Sequence, residues 1–429
     1  MTKPRATVQK TVGVVGATAI GIGGMMGAGL YTLVGLATAS AGKWLPIAFI
    51  IGGLVASFSV YSYSKLGAKY PSKGGAAQFL LTCFGDGMIA GGLNVFQYFG
   101  WIVAMALYAA GFAEYACDLT GLPQNSWISK GISVGIILVI VVINLLGSKQ
   151  VARAQTLIVS FELLILLIFI IGGLLKAHVP TTTSGSSDSG LGIISAAGLL
   201  YVTYEGFGVV TNAAGSMKDP QHELPRAMYL SLGLVLILYV IISTLVIATI
   251  GTNGAIANQG HALAAAGRSV LGPVGHIGVG LAALVATASA VNSTMFGDEN
   301  LGLRIAKVGE LPHQFGVMTK VGGPWGLFVT ALLTCCFVVA FPLSAVGEMA
   351  SLAFLLVYAT VNIGHLKVYK QTGARRCILW VAIILNLILF AFLFIQTIFK
   401  GETMTWASVI VMLIISFVAE WLWQRHQHT

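Results

Sequence analysis

Glu162 and Glu205 stand inside long apolar stretches, in Val159-Ser160-Phe161-Glu162-Leu163-Leu164-Ile165 and Gly198-Leu199-Leu200-Tyr201-Val202-Thr203-Tyr204-Glu205. A carboxyl group can release a proton, accept hydrogen bonds or hold a cation. Near the middle of a bilayer it costs at least ~2.5–3.5 kcal/mol, so it faces a bundle interior or a water-filled cavity and marks a candidate site. Glycines mark the same chemistry from the backbone side. Gly21, Gly23, Gly24, Gly27 and Gly29 crowd one segment around Met25, Met26 and Ala28, and Gly206 and Gly208 flank Phe207 directly after Glu205. Glycine lets helices approach closely, and it lets a helix unwind where bare N–H and C=O groups must meet a ligand.

The elements that carry these residues are membrane helices. Of 429 residues, 57% are hydrophobic and 9% charged, against about 25% charged in soluble domains. Apolar runs long enough to cross ~30 Å as a helix follow one another along the chain. Twelve spans are expected, at 12–36, 44–64, 88–113, 131–147, 154–175, 192–213, 227–250, 273–297, 323–341, 343–364, 377–398 and 404–424. The short alternating segments of a β-barrel are absent from the sequence. The polar stretch from Lys176 to Gly190 reads as an external loop.

With the N-terminus inside, all of the 23 lysines and arginines but Lys43, Lys130, Lys176, Arg268 and Lys400 fall on cytoplasmic segments or span ends. Both termini are therefore expected in the cytoplasm, and the net charge of +9 needs no nucleic-acid partner. The basic N-terminus lacks a cleavage site after its apolar run and reads as an uncleaved first span. The five cysteines lack metal-type spacing, the eight histidines are scattered, and neither metal nor cofactor is expected.

Spans one and six are the corresponding first members of two five-span halves, 12–175 and 192–364, which five crossings each would place in opposite orientation. Glycine-interrupted helices at matching positions of such inverted repeats point to a transporter's binding site. The helices at 377–424 lie outside the repeat, and the whole of 1–429 reads as one transmembrane domain.

The glycine segments also carry a family likeness. Gly24-Met25-Met26-Gly27-Ala28-Gly29-Leu30-Tyr31 resembles the first-span motif of the amino acid–polyamine–organocation transporters, usually Gly-x-x-Ile-Gly-Ser-Gly-Ile-Phe. Tyr63, Leu66, Gly67, Pro71 and Gly74-Gly75 are similar to that family's loop after span two. The stretch from Tyr204 to Gly208, with Lys218-Asp219-Pro220 and Leu224-Pro225-Arg226-Ala227, is similar to its span-six signature. Ser289, Asn292-Ser293 and Ala306 to Pro312 resemble the end of span eight and its loop. The pattern is nearest to the prokaryotic proton-coupled amino acid permeases.

The resemblance implies an all-α polytopic fold with a five-plus-five inverted repeat, broken helices one and six, and two extra C-terminal helices. It implies that the backbone of Gly27, Ala28 and Gly29 holds a substrate carboxylate, and that carbonyls of Met25, Val202 and Glu205 hold the ammonium. Uncapped N–H groups and free carbonyls suit those charges. Phe99 and Phe207 are candidate pocket or gate residues, with packing as the alternative, and Val202 stands where relatives often carry an aromatic gate.

Two departures matter. Glu162 aligns with a lysine of span five in many relatives, and a carboxyl cannot serve as that tethered cation; it is a candidate proton-coupling group. Glu205 replaces a neutral residue and is open to three readings: a contact for a cationic substrate, a second proton site, or an acid in a helix interface. Asp298 and Glu299 lie near the cytoplasmic end of span eight, where an ion pair with Arg304 is expected; Glu348 and Glu420 lie near span ends, where water can reach them.

These residues point to a secondary active amino acid transporter of the inner (plasma) membrane, working by alternating access. Its partners are an amino acid, a proton (in preference to sodium) and the bilayer, with symport and exchange both open. A cationic amino acid or polyamine exchanger is the alternative. A membrane enzyme would need a nucleophile–base pair or a set of metal ligands at one depth, and a channel a filter motif; the sequence displays neither.

Overall fold

The computed structural model describes residues 12–72, 75–123, 126–146, 151–176, 190–308, 317–319 and 323–427. Gly74, the Gly147–Lys149 turn, the external loop 177–189 and the loop 309–316 fall outside the described residues, as do the side chains of Ala28, Glu299 and Arg304.

The chain is all-α and polytopic. Ten described helices are long and apolar enough to cross a membrane, joined by shorter apolar helices at Val14–Met26, Gly75–Phe84 and Trp325–Ala340. Span one is two helices, α1 (Val14–Met26) and α2 (Ala28–Ala41), separated by Gly27. Then come α3 (Leu45–Lys69), the short α4 (Gly75–Phe84), α5 (Met88–Thr120), α6 (Ser126–Leu146) and α7 (Val151–Lys176). Span six is composite: α8 (Gly190–Leu200), a 3-10 stretch Tyr201–Tyr204, α9 (Phe207–Val210) and a second 3-10 stretch Thr211–Ser216. The chain continues through α10 (Pro220–Ala257), α11 (Ala262–Val308), α12 (Trp325–Ala340) and α13 (Leu343–Thr372), with α14 (Arg376–Phe399) and α15 (Thr403–Gln427) after them.

The core lies where α1, α2 and span six meet α3, α5, α10 and α13. Tyr31, Tyr63, Tyr201, Tyr204, Tyr239, Phe207 and Phe354 are fully buried there. Outward faces of α6, α7 and α14 keep Leu, Ile and Val exposed, as in Leu164, Leu167, Ile171 and Ile384. Helices of that kind face hydrocarbon, since lipid makes burial of leucine unnecessary.

Two kinks punctuate the seventh and eighth spans. Gly251 (φ 69°) bends α10 and Gly272 (φ 66°), just before Pro273, bends α11. These φ values lie in the left-handed region, which glycine adopts without steric penalty. Residues 252–271 between the kinks form a helical hairpin that packs on Gly35 of α2.

Candidate functional site

Gly27 (φ −46°, ψ −136°) breaks span one, and α2 begins behind it with no side-chain cap. Its first N–H groups therefore have no intrahelical partner and form a positive pole. Span six breaks differently. Its backbone tightens into the 3-10 stretch, and Glu205 and Gly206 keep right-handed helical angles. The second break is thus a change of helix type, not an extended gap.

Backbone meets backbone at the two breaks. A Cβ on Gly206 would collide with Gly24 and Met25, and one on Gly29 would lie 2.8 Å from Thr203 Cγ2. Glycine at these positions lets the two interrupted helices touch.

Several carbonyls expected to receive an ammonium already hold hydroxyls. The Tyr239 hydroxyl, from α10, donates to the Met25 carbonyl at 2.5 Å and lies 3.2 Å from that of Thr203. Tyr358 from α13 donates to the Glu205 carbonyl at 2.9 Å, which also accepts the Gly208 N–H at 3.0 Å. Both lone pairs of that carbonyl are taken, so it is the least suited of the three to a ligand. The Val202 carbonyl accepts the Glu205 N–H at 3.2 Å, and the Val202 N–H donates to Ser351 Oγ at 3.3 Å.

Glu205 is 3% exposed. Its Oε1 accepts the Tyr108 hydroxyl at 3.0 Å, and its Oε2 is buried with no hydrogen-bond partner among the described residues. A carboxylate oxygen left so is costly unless a proton or a cation meets it. Glu162, on α7, is 2% exposed and close enough to Tyr31 and Tyr239 to interact electrostatically with both. Tyr239 in turn neighbours Tyr108. Tyr108 and Tyr239 thus lie in the neighbourhood of both acids.

Phe207 stacks on Tyr358 (4.9 Å between centroids) and meets Tyr63 edge-on at 5.5 Å, within an aromatic cluster beside the break. Phe99 is not brought to this site. It is half-buried against Tyr98, and nine residues separate it from Tyr108, which is half a helical turn round and about 13.5 Å along α5. Tyr108, Tyr239 and Tyr358 are the site residues that sequence reasoning missed. Their only signal is aromatic enrichment, which most of these helices share.

Three acids depart from expectation. Asp298 is 1% exposed, beside the Tyr98–Thr330 hydrogen bond, because α11 turns it toward α5 and α12 rather than toward water. Glu348 is buried and paired with Lys400 at 3.2 Å. Glu420 is buried against Gly91 and accepts from Gln424 at 2.8 Å. At the exposed N-terminal end of α10, His222 bonds to Asp219 at 2.7 Å and holds that carboxyl below its ordinary range.

Comparison with known proteins identifies the family. The amino acid permease family model matches residues 12–419. The inner membrane transport protein YbaT of Escherichia coli is 30% identical over 418 residues, covering 95% of this chain and 96% of that protein. The branched-chain amino acid permease BcaP of Lactococcus lactis is 25% identical, over 83% of this chain and 81% of its own. A vacuolar cationic amino acid transporter of Arabidopsis thaliana is 29% identical over 56% of this chain and 43% of its own. Broken helices in contact, an uncapped helix start between them and a family match over nearly the whole length lead to one assignment: the chain belongs to the amino acid permease family, within the amino acid–polyamine–organocation superfamily.

Proposed function

We propose that this membrane protein, an amino acid transporter by family, is a proton-coupled secondary carrier that works by alternating access. The observation that carries the proposal is the uncapped start of α2 at Gly27, set against the span-six break. The substrate carboxylate would lie on the N–H groups of Gly27, Ala28 and Gly29. Its ammonium would take the Met25 carbonyl by displacing the Tyr239 hydroxyl, with the Val202 carbonyl as second acceptor. The halves 12–175 and 192–364 would move against each other about this point, and ligand or proton binding would shift the equilibrium between their arrangements.

Glu162 and Glu205 are the proposed proton sites, with Tyr239 and Tyr108 in their neighbourhood. The distribution of lysine and arginine supports a cytoplasmic location for both termini.

A second reading concerns the substrate. The unpartnered Oε2 of Glu205 favours a side chain bearing an ammonium or guanidinium, which would supply a charge-assisted bond. The test is uptake of labelled amino acids into proteoliposomes under an imposed pH gradient. Accumulation above the external concentration that collapses with the gradient supports the carrier. Equilibration without accumulation indicates a channel, and chemical turnover indicates an enzyme.

A further inference from the structure

The transport site uses the acids at mid-membrane and leaves a second titratable cluster unexplained. It lies on the face opposite the termini, where the end of α5 meets the 252–271 hairpin. Asp118 stands between two histidines, with His261 Nε2 at 3.6 Å from Oδ1 and His276 Nε2 at 3.4 Å from Oδ2. The cluster borders a cavity of about 580 Å³, open to the surrounding medium, lined by Asp118, Arg268, Pro273 and His276 among others.

The hairpin is bounded at each end by a glycine in the left-handed region, Gly251 and Gly272. It closes over span one, where the backbone of Gln259 and Ala255 lies directly on Gly35 of α2. It also meets α5, where Gly260 rests on the Glu114 side chain. Tyr115, a turn before Asp118, donates to the Tyr31 carbonyl of α2 at 2.8 Å. The hairpin therefore covers the half of the broken helix that carries the proposed carboxylate site.

His276 holds this arrangement through both ring nitrogens. Nδ1 lies 3.4 Å from the Ala264 carbonyl, in the hairpin, and Nε2 faces the Asp118 carboxyl, on α5. Both partners are acceptors. A neutral imidazole has one N–H and can satisfy one of them, leaving a lone pair against the other; an imidazolium donates to both. We propose that protonation of His276 clasps the 252–271 hairpin to α5 and that its deprotonation releases the hairpin, making cover over α2 sensitive to pH on that face.

Charged and titratable groups surround this imidazole. Those facing His276 are Asp118 from α5 and His261 and Arg268 from the hairpin, while Glu114 of α5 lies against Gly260 of the hairpin and accepts from Ser129 of α6 at 3.5 Å. Burial above all holds the His261 imidazole below its ordinary range; Asp118 opposes this, and His276 and Arg268 reinforce it. Because the proton creates the second bond of His276, the clasp is closed while the imidazole carries it and lost once it leaves, so the clasp loosens as pH rises.

Hydrogen–deuterium exchange of residues 252–271 in the purified full-length protein tests this, at pH 5.5 and 8.0, with each rate corrected for intrinsic exchange. Wild-type protection is expected to fall about 5–10-fold between the two values. His276→Gln should show the low protection at both, and Asp118→Asn should flatten the dependence in the same way if the first variant does not fold. His261→Gln should retain most of it. Protection flat in the wild type, or a pH dependence that survives His276→Gln but is lost in His261→Gln, overturns the proposal. The measurement needs no transported substrate, so its failure is distinct from failure of the transport reading.

Discussion

At Glu205 one oxygen is met by Tyr108 and the other by nothing among the described residues. If that second oxygen is where a cationic side chain docks, Lys, Arg or ornithine should compete better than alanine for uptake. Glu205→Gln should then weaken the cationic substrate by ~2–5 kcal/mol, the range for breaking a buried charge pair. Competition by alanine or glutamine with no competition by lysine would leave Glu205 as a proton site. Glu162 carries the complementary prediction. Proton coupling makes wild-type uptake fall as pH rises from 5 to 8, and Glu162→Gln, which has no proton to release, should bind substrate yet lose that slope. Uptake with an unchanged pH profile in the variant would move the coupling elsewhere, and replacing sodium by choline would test that ion next.

The helix breaks give a prediction at the scale of elements. Gly206→Val and Gly29→Leu place side chains where the backbone of Gly24 or Thr203 already lies, so both should abolish uptake. Gly215→Ala meets open space and should stay within about 0.5 kcal/mol of wild type, measured as denaturant stability in detergent. Wild-type transport by Gly206→Val would show that the two breaks need not touch. The breaks were legible because glycines cluster at Gly24–Gly29 and Gly206–Gly208 within otherwise apolar helices. The ends of spans seven and eight were legible too: the expected limits at 250 and 273 fall beside the kinks at Gly251 and Gly272, where the apolar runs stop. The hairpin between them was not, because its mixture of alanine, asparagine and glycine gives neither a long apolar run nor a clear period. Tyr108 was missed for a related reason. On α5 aromatic residues occur at 96, 98, 99, 101, 108, 112 and 115, and in a helix buried on most sides no apolar stripe shows which face meets the site.

Over the whole molecule, charge placement and long-range ion pairs make separate predictions. A cytoplasmic orientation of the termini would require Cys377, at the start of α14, to react with an impermeant maleimide only after the cells are opened. A Ser269→Cys side chain in the hairpin should react in intact cells. The reverse pattern would invert the topology and move the histidine cluster to the cytoplasm. The Lys400–Glu348 pair joins the turn before α15 to α13. Because Lys400 is 40% exposed, Lys400→Met should destabilise by about 1–2 kcal/mol, less than the ~3–5 kcal/mol of a fully buried pair. Thermal unfolding in detergent reads this directly, and an unshifted midpoint would make the pair a surface contact only.

The 3-10 stretch Tyr201–Tyr204 has a mechanical side. A 3-10 helix rises about 2.0 Å and turns about 120° per residue, against about 1.5 Å and 100° for an α-helix. Four residues passing from one form to the other would shorten by about 2 Å and rotate the remainder of span six by about 80°, without leaving helical hydrogen bonding. Span six then contains a length of screw thread set immediately before Glu205. Advancing it by one such step would swing the carboxyl from Tyr108 toward another wall of the bundle and carry the following part of span six with it, a displacement that a pair of spin labels flanking Tyr201–Tyr204 would register in both distance and orientation.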